Sequence, residues 1–495
     1  MIADFHRALL ALMLAGIAIF PSRAMAQLSV PGKLMTYRTV DADSGEELLR
    51  SRHWQTVDGT AAMEIAATTY PAGTQVISEC AFGKGLDRPA TAFRSVMRSA
   101  TGELERSDFD TFDPRYYPFV AQSITGDMQP GTCLNRRMID FAAVLRADSA
   151  TTWLWSDSGL VGVILQSDGD ETITVPAGKF DASRIRIDVD LSKLFPRVPE
   201  LFLKLVKPHF TIWVSRADPH YVLRMDGFGS NAGPDHKNTR VELASIENLK
   251  PGSLPAIPSL APADAPDSTP PLTTVNSASF AQGGRTGKVT LATGATSGGE
   301  LLLTHVAFSN GLATESRTLI DHRATPVTVY LDDRSFAANA AMVRKHLLFF
   351  RRAAFPDDPK KDLPAELYGG DTTLGLVLPR LLPQDSDETI FHVMDFTGQV
   401  NQLKIMKEGS TTIALTTDDR PAIHAQLIPI VDVPLLLRPL AYFFIPSFDA
   451  YFDTDAPHRL LKFEGPLGPP GVPNATMIAD ENLPAANPTG AENTR

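Results

Sequence analysis

Cysteine is scarce in this chain, with only two among 495 residues. That scarcity excludes a disulfide-dense miniprotein, and neither cysteine lies at a spacing typical of a zinc site. An excess of positive charge is also absent, because 46 lysines and arginines stand against 57 aspartates and glutamates, for a formal net charge of −11. A chain with this balance is not expected to bind nucleic acid through a broad basic surface.

The familiar catalytic motifs are missing as well. The sequence contains no Gly-x-Ser-x-Gly, no His-Glu-x-x-His, no phosphate-binding Gly-x-x-x-x-Gly-Lys-Ser/Thr and no Gly-x-Gly-x-x-Gly after a predicted strand. The glycine-rich run 227–233 leads into Pro234 and is expected to be a surface loop. The 11 histidines include no pair at i and i+4, so neither a metal site nor a cofactor is predicted.

One hydrophobic run lies at the N-terminus. Ala8 to Phe20 is apolar, follows Arg7 and precedes Ala24-Met25-Ala26, whose small residues suit a cleavage site. This layout is typical of a secretory signal peptide over residues 1–26, and the run is short for the alternative, a membrane anchor. No other stretch reaches 18 uninterrupted apolar residues. We therefore expect a soluble periplasmic or secreted protein that is cleaved near Ala26 and is not an integral membrane protein.

The two cysteines, Cys80 and Cys133, both lie in the first half of the chain. An exported protein meets an oxidising environment, in which such a pair is expected to form a disulfide. The alternative is two buried free thiols.

Proline-rich segments divide the chain. Residues 250–275 are rich in Pro, Ser and Ala without an apolar period, which predicts an extended linker, and residues 466–495 are expected to be a loose tail. Two β-rich domains are predicted between these segments, at 28–249 and 276–465.

The two domains resemble each other at a constant offset of 238 residues. Residues 208–227 align with residues 446–465, and six of the 20 aligned positions are identical. A second match, between 44–49 and 297–302, needs a different offset. We interpret the chain as a diverged tandem duplication, so that both halves share one fold.

Most of the repeated unit alternates with a period of two. Arg184 to Asp190 places Ile185, Ile187 and Val189 on one face and charged residues on the other, which is typical of a half-buried strand. The predicted fold class is α+β, mainly β, with two tandem curved antiparallel sheets that are half-barrel-like, each with a packed helix.

Three segments show helical spacing of apolar residues. Residues 194–205 and 433–446 are expected to fill the hollow of each sheet, with lipid or membrane contact as the alternative for the second. Residues 333–355 form a further candidate, whose basic stretch Arg344-Lys345-His346 would be a solvated helix face or would contact anionic lipid headgroups.

One succession of motifs resembles a known family. Val175-Pro-Ala-Gly-Lys-Phe180, an alternating strand, Thr211-Ile-Trp-Val-Ser215, Pro219 and Arg224 follow in that order. This is similar to a family of uncharacterised exported β-rich proteins of Gram-negative bacteria, a domain of unknown function, here in tandem copies. The resemblance implies half-barrels related to periplasmic lipoproteins and lipid carriers, with an apolar groove and no catalytic residues.

His220 and His458 occupy the same position after a proline in both halves. One interpretation is acid–base catalysis, which suits the pKa of histidine. The interpretation that we favour is structural, because a catalytic residue is seldom retained in both copies.

The sequence therefore predicts an exported protein that binds a lipid or another apolar or amphiphilic small molecule in the cell envelope. The expected ligand-binding side chains are aromatic, namely Phe210, Trp213, Phe444, Phe448 and Tyr451. The alternatives are an exported hydrolase or lyase that uses His220 or His458, and an envelope scaffold that binds other proteins.

Overall fold

The computed structural model of the chain describes residues 32–58, 61–83, 90–112, 129–130, 133, 148–156, 159–190, 209–217, 219–227, 239–249, 263, 270–297, 299–321, 327–350, 367–369, 374–382, 386–394, 400–415, 418–430, 447–455, 458–465 and 473–480. The predicted signal peptide, both predicted hollow-filling helices, Phe444 and most of the linker lie outside these residues.

The described part of the first half, which we call the first unit, is built from strands. They are β1 (Lys33–Asp41), β2 (Glu47–Asp58), β3 (Ala61–Thr69), β4 (Gln75–Phe82), β5 (Ala90–Arg98), β6 (Leu104–Asp110), β7 (Gln129–Pro130), β8 (Ser149–Ser156), β9 (Gly159–Val175), β10 (Gly178–Asp190), β11 (His209–Ser215), β12 (Val222–Asp226) and β13 (Thr239–Asn248). The alternating segment 184–190 lies in β10, as its period predicts, with Ile185 fully buried.

The second half, which we call the second unit, repeats this succession. Its elements are β14 (Thr273–Gln282), β15 (Arg285–Thr296), β16 (Gly299–Phe308), β17 (Ala313–Asp321), β18 (Val327–Phe336), β19 (Met342–Phe349), β20 (Tyr368–Gly369), α1 (Leu374–Leu381), β21 (Glu388–Met394), β22 (Val400–Ala414), β23 (Asp419–Ile430), β24 (Phe448–Asp453), β25 (Leu460–Gly465) and β26 (Ala475–Ala479).

The described strands form one open sheet of 26 strands and not two separate sheets. In the first unit the neighbours run from β7 through β13 to β1 and on to β6, and in the second from β20 through β26 to β14 and on to β19. The units join where β6 pairs with β19. Neighbours are antiparallel except in the two end pairs, β7–β8 and β20–β21. Both units thus have one topology, as a duplication requires.

In β2–β6 and β15–β19 the register reproduces the 238-residue offset. Arg50 lies opposite Thr69 in β2–β3, and Lys288 lies opposite Ala307 in β15–β16. The register of β4–β5 shifts after Ala81, and that of β17–β18 shifts after Leu319, at the equivalent place. The match between 44–49 and 297–302 is unrelated to this equivalence, because the first segment enters β2 and the second enters β16, the counterpart of β3.

The prediction of a helix at 333–355 is wrong. Residues 327–336 and 342–349 are the antiparallel strands β18 and β19, and Ala337 N donates to Ala341 O across the turn between them at 2.8 Å. Ala340 in this turn has a φ of 62°, a left-handed conformation that no α-helix contains. The basic stretch is therefore part of a strand, and Lys345 within it is 1% exposed.

Among the described residues the one α-helix is α1, and it packs against the second unit through Val377 and Leu378. The described residues therefore do not support a packed helix in each unit. The helical spacing at 333–355 reflects apolar content, because a buried strand and a buried helix are both rich in leucine and valine.

The expected loose tail contains a strand. Ala475–Ala479 forms β26, which pairs with β14 and β25. The strand β14 also begins at Thr273, within the predicted linker. With β15 on one side and β26 on the other, β14 has no unpaired edge.

Each strand has an inner and an outer face. We define the inner face as the one that carries Ile212 of β11 and Phe452 of β24, which are 1% and 0% exposed. The largest apolar clusters lie there, one in each unit, around Ile185, Ile212 and Leu243 and around Ile405, Ala450 and Phe452. Side chains at alternate positions, such as Trp213 and Tyr451, lie on the outer face.

The predicted disulfide is present. Cys80 of β4 is bonded to Cys133, with a Cα–Cα distance of 5.9 Å and a sequence separation of 53. Both residues pack in a cluster with Phe82, Phe93 and Phe112.

We predict that the double variant Cys80→Ala/Cys133→Ala loses stability. A disulfide that closes a loop of this length restricts the unfolded chain, so the free energy of unfolding should fall by about 4 kcal/mol. Urea unfolding of the oxidised protein measures this difference. Dithiothreitol should destabilise the wild type by a similar amount and leave the variant unchanged. Equal stability of the oxidised wild type and the variant would contradict the prediction.

Candidate functional site

The predicted ligand-binding aromatics are divided between the two faces of the sheet. Phe210 and Phe448 lie on the inner face, half-buried against the apolar clusters of their units. Trp213 and Tyr451 lie on the outer face, because each is an odd number of residues from Ile212 or Phe452 along a regular strand. Within each unit the two described aromatics therefore lie on opposite faces of the sheet, and their role in ligand binding stays a prediction.

Charged side chains cover both outer aromatics. The Trp213 indole Nε1 donates to Glu171 Oε1 at 2.8 Å, and the Arg224 guanidinium lies 4.6 Å from the Trp213 ring centroid. Tyr451 stacks on His424 at 4.7 Å, with Lys462 Nζ 5.5 Å from its ring centroid. Burial, followed by the charge of Asp449, raises the pKa of Tyr451. Trp213 also belongs to the apolar cluster of the first unit, and Tyr451 packs against a cluster that contains Leu415 and Leu461. Both rings thus combine cation–π contacts with apolar packing.

His220 and His458 have equivalent geometry in the two units. Each has positive φ, 61° and 57°, and each places Nδ1 3.0 Å from a backbone carbonyl, of Ser215 and of Asp453 respectively. Both imidazoles thus hold the turn before β12 or β25. The same contact in both units is what a structural role requires.

A continuous row of polar side chains crosses the inner face where the units meet. We call it the central polar row, and each member lies directly opposite the next in the pairing register. From β4 to β16 its members are Ser78, Ser95, Asp108, His346, Asp333, Ser316 and Thr304. Asp108 is 2% exposed and Ser316 is 3% exposed. Burying so many polar groups in one line costs free energy unless they are paired.

The middle of the row is a charged network that joins the units. Asp108 accepts a hydrogen bond from Arg106 Nε at 2.9 Å, and its other oxygen lies 2.8 Å from His346 Nδ1. Arg344 Nε donates to His346 Nε2 at 2.8 Å. Because Nε2 accepts a hydrogen bond, this arrangement requires a neutral imidazole that carries its proton on Nδ1.

The rows on either side of the central polar row mix apolar and charged side chains. One contains Val76, Met97, Leu348 and Leu331, which pack with Leu367, and it has Arg106 between Met97 and Leu348. The other runs from Cys80 and Phe93 to Asp110 and Arg344. The inner face around the junction therefore has amphiphilic character, with apolar side chains beside polar and charged ones.

We predict that Asp108→Ala destabilises the protein more than a double variant that replaces both Asp108 and His346. Truncating Asp108 leaves His346 and Arg106 without their acceptor, so the free energy of unfolding should fall by about 3–5 kcal/mol. The control, Asp108→Val/His346→Val, removes both sides of the contact and should cost less. Urea unfolding of the three proteins gives the comparison. A loss below about 1 kcal/mol for Asp108→Ala would contradict a buried network at this junction.

A second polar group lies on the inner face of the first unit. We call Tyr37, Ser51, His53 and Glu64 the first-unit polar cluster, and each is at most 3% exposed. His53 Nε2 lies 2.9 Å from Ser51 Oγ, and the rings of Tyr37 and His53 meet edge to face at 5.3 Å. The Tyr37 hydroxyl donates to Val222 O at 3.2 Å. Of the cluster, His53 belongs to the same register row as the central polar row, since His53 lies opposite Ala66 and Ala66 lies opposite Ser78.

Burial shifts the pKa values of this cluster strongly. It lowers the pKa of His53 to about 3, so the imidazole is neutral at physiological pH. Burial, followed by the negative charge of Glu64, raises the pKa of Tyr37. Among the described residues His53 Nδ1 is buried and has no hydrogen-bond partner.

We predict that His53 makes the protein sensitive to acid. The unfolded chain titrates near the ordinary pKa of 6.5, so between pH 6.5 and about 3 the unfolded state binds one more proton than the folded state. The free energy of unfolding should therefore decrease by roughly 2–3 kcal/mol from this residue between pH 7 and pH 4.5. Urea unfolding at both pH values should show a smaller decrease for His53→Leu. An equal decrease in both proteins would refute the assignment.

The described residues contain neither a metal-binding cluster nor a membrane-spanning helix. The part of the chain that the structure describes contains no group of three or more His, Cys, Asp or Glu side chains placed to hold a metal ion. None of the helices in that part has the length and apolar character needed to cross a membrane.

Comparison with known proteins finds resemblance in structure alone. No family model and no curated protein matches the chain. A β-barrel-like protein of the domain of unknown function DUF1849 from Brucella abortus is 10% identical, with a TM-score of 0.25, over 45% of this chain and 100% of that one. The hypothetical lipoprotein YmcC of Escherichia coli is 11% identical, with a TM-score of 0.21, over 50% and 97%. MucB is 11% identical, with a TM-score of 0.19, over 68% and 91%.

These neighbours include a β-barrel-like protein of a domain of unknown function and a hypothetical lipoprotein, in line with the class that the sequence resembles. Similarity at these TM-scores assigns no residue, ligand or partner to this chain.

Proposed function

We propose that this protein is exported to the cell envelope, as its N-terminal sequence predicts, and binds an amphiphilic ligand against the inner face of its sheet. The observation that supports the proposal is the amphiphilic character of that face at the junction of the units. There the central polar row lies between rows that combine the apolar side chains of Met97, Leu348 and Phe93 with charged ones.

An acyl chain and a headgroup need different surfaces. Apolar contact stabilises a bound chain by about 25 cal/mol per Å² removed from water, and half-buried aromatics such as Phe210 and Phe448 offer such area. The polar row offers hydrogen-bonding groups to a headgroup, so that its polar atoms need not be buried without partners. A purely apolar ligand would leave the row unused.

The geometry gives less support to the alternative of an enzyme with a His-based site. His346 is paired with Asp108, as a general base often is, but its Nε2 already accepts the hydrogen bond from Arg344. No nitrogen of His346 is then available to accept a proton from a substrate. The imidazoles of His220 and His458 are engaged with the backbone through Nδ1.

We predict that protein purified from the envelope fraction of its host carries lipid, which mass spectrometry of a solvent extract detects. The purified protein should also bind 11-(dansylamino)undecanoic acid with an increase in fluorescence. Phe210→Ala or Phe448→Ala should weaken this binding by about 5–30-fold, since each removes half-buried apolar area on the inner face. Ile390→Ala serves as the control, because Ile390 is 51% exposed.

Circular dichroism and thermal unfolding should show that all three variants fold. A lipid-free preparation that binds no dansylated probe would overturn the proposed function. Equal loss of binding in the Ile390 control would show that the inner face is not the binding surface.

A further inference from the structure

The duplication supplies an internal control for the first-unit polar cluster. The counterparts of Ser51, His53 and Glu64 at the 238-residue offset are Val289, Leu291 and Leu302. The counterpart of Tyr37, identified by its partner across the strands, is Ala278, since Tyr37 lies opposite Ser51 and Ala278 lies opposite Val289. All four polar residues of the first unit are therefore replaced by apolar residues in the second.

The fold itself does not require the polar residues. The second unit forms the same strands in the same register with apolar side chains, and Val289 and Leu302 are 2% and 0% exposed. Replacing buried polar groups by apolar residues of similar volume is often neutral or stabilising. The first unit thus retains buried polar groups that its own architecture could do without.

The chemistry of the cluster defines what it can bind. The neutral His53 imidazole presents an Nδ1 with no partner among the described residues, next to the hydroxyl of Ser51. The Glu64 carboxylate is 3% exposed and adds negative charge on the same face. A phosphate or carboxylate would be repelled by Glu64, whereas a hydroxyl or an ammonium group can donate hydrogen bonds to the carboxylate and, in the tautomer that carries its proton on Nε2 and donates to Ser51 Oγ, to His53 Nδ1.

We infer that Ser51, His53 and Glu64 form a binding site for the headgroup of the amphiphilic ligand, and that this headgroup is a hydroxyl or an amine and not an anion. The inference rests on the proposed function and assigns the headgroup to the first unit. The second unit supplies the same sheet with an apolar inner face. Since His53 and the central polar row share one register row, the headgroup site lies in line with that row, with β3, β4 and β5 between His53 and the junction strand β6.

The test replaces the cluster by the residues of the second unit. The triple variant Ser51→Val/His53→Leu/Glu64→Leu is made in the full mature chain, and Arg52→Leu is the control, because Arg52 lies on the same strand and is exposed on the opposite face. Three dansyl probes of equal chain length are compared, ending in a hydroxyl, a primary amine or a carboxylate.

The wild type and Arg52→Leu should bind the hydroxyl and amine probes about tenfold more tightly than the carboxylate probe, or better. The triple variant should lose this preference, bind the three probes alike and keep an unfolding midpoint in urea at least as high as that of the wild type. A triple variant that retains the preference overturns the inference. A lower midpoint with unchanged preference would assign the cluster to stability instead. Failure of the wild type to bind any probe would overturn the proposed function itself.

Discussion

The antiparallel pairing of β6 with β19 is the contact on which the architecture depends. β6 is the last strand of the sheet in the first unit, and β19 is the last in the second. An exposed strand edge presents unpaired N–H and C=O groups that need a partner. The two equivalent edges provide that partner for each other, and the result is one sheet of 26 strands. The central polar row exists only because of this pairing, since its two halves come from different units.

The polar groups at the junction and in the first unit have different physical meanings. Asp108, Arg106, His346 and Arg344 are bonded to one another, and such a network favours one register over its neighbours. In the first-unit polar cluster His53 Nδ1 has no hydrogen-bond partner among the residues that the structure describes, and the cluster has no polar equivalent in the second unit. Side chains that satisfy each other's hydrogen bonds suit an architectural role. A buried nitrogen such as His53 Nδ1, which has no partner among the described residues, suits contact with a ligand.

The sequence contains enough information to predict alternating strands such as β10 and β11, the disulfide and the duplication. The alternation of apolar and charged residues at 184–190 and the repetition of His220 as His458 are patterns within short segments. They can be recognised without knowing which strands pair. The junction could not be predicted, because Asp108 and His346 meet through a long-range pairing that no local period encodes. The helix predicted at 333–355 failed for a related reason, since two apolar strands and a turn can reproduce helical spacing. The replacement of Ser51 and His53 by valine and leucine was visible at the 238-residue offset, but only the strand register shows that these positions are buried.

The position of Asp108 opposite His346 has a consequence for symmetry. The two residues are 238 apart and are each other's equivalents about the pseudo-two-fold axis of the sheet. If two identical chains met at this edge, whatever residue stood at that point would face its own copy, and a carboxylate would face a carboxylate. Fusion of both copies into a single polypeptide removes that restriction, so that an acid and an imidazole can occupy the axis together. The covalent link between the units thus permits a complementary contact that a homodimer could never form there.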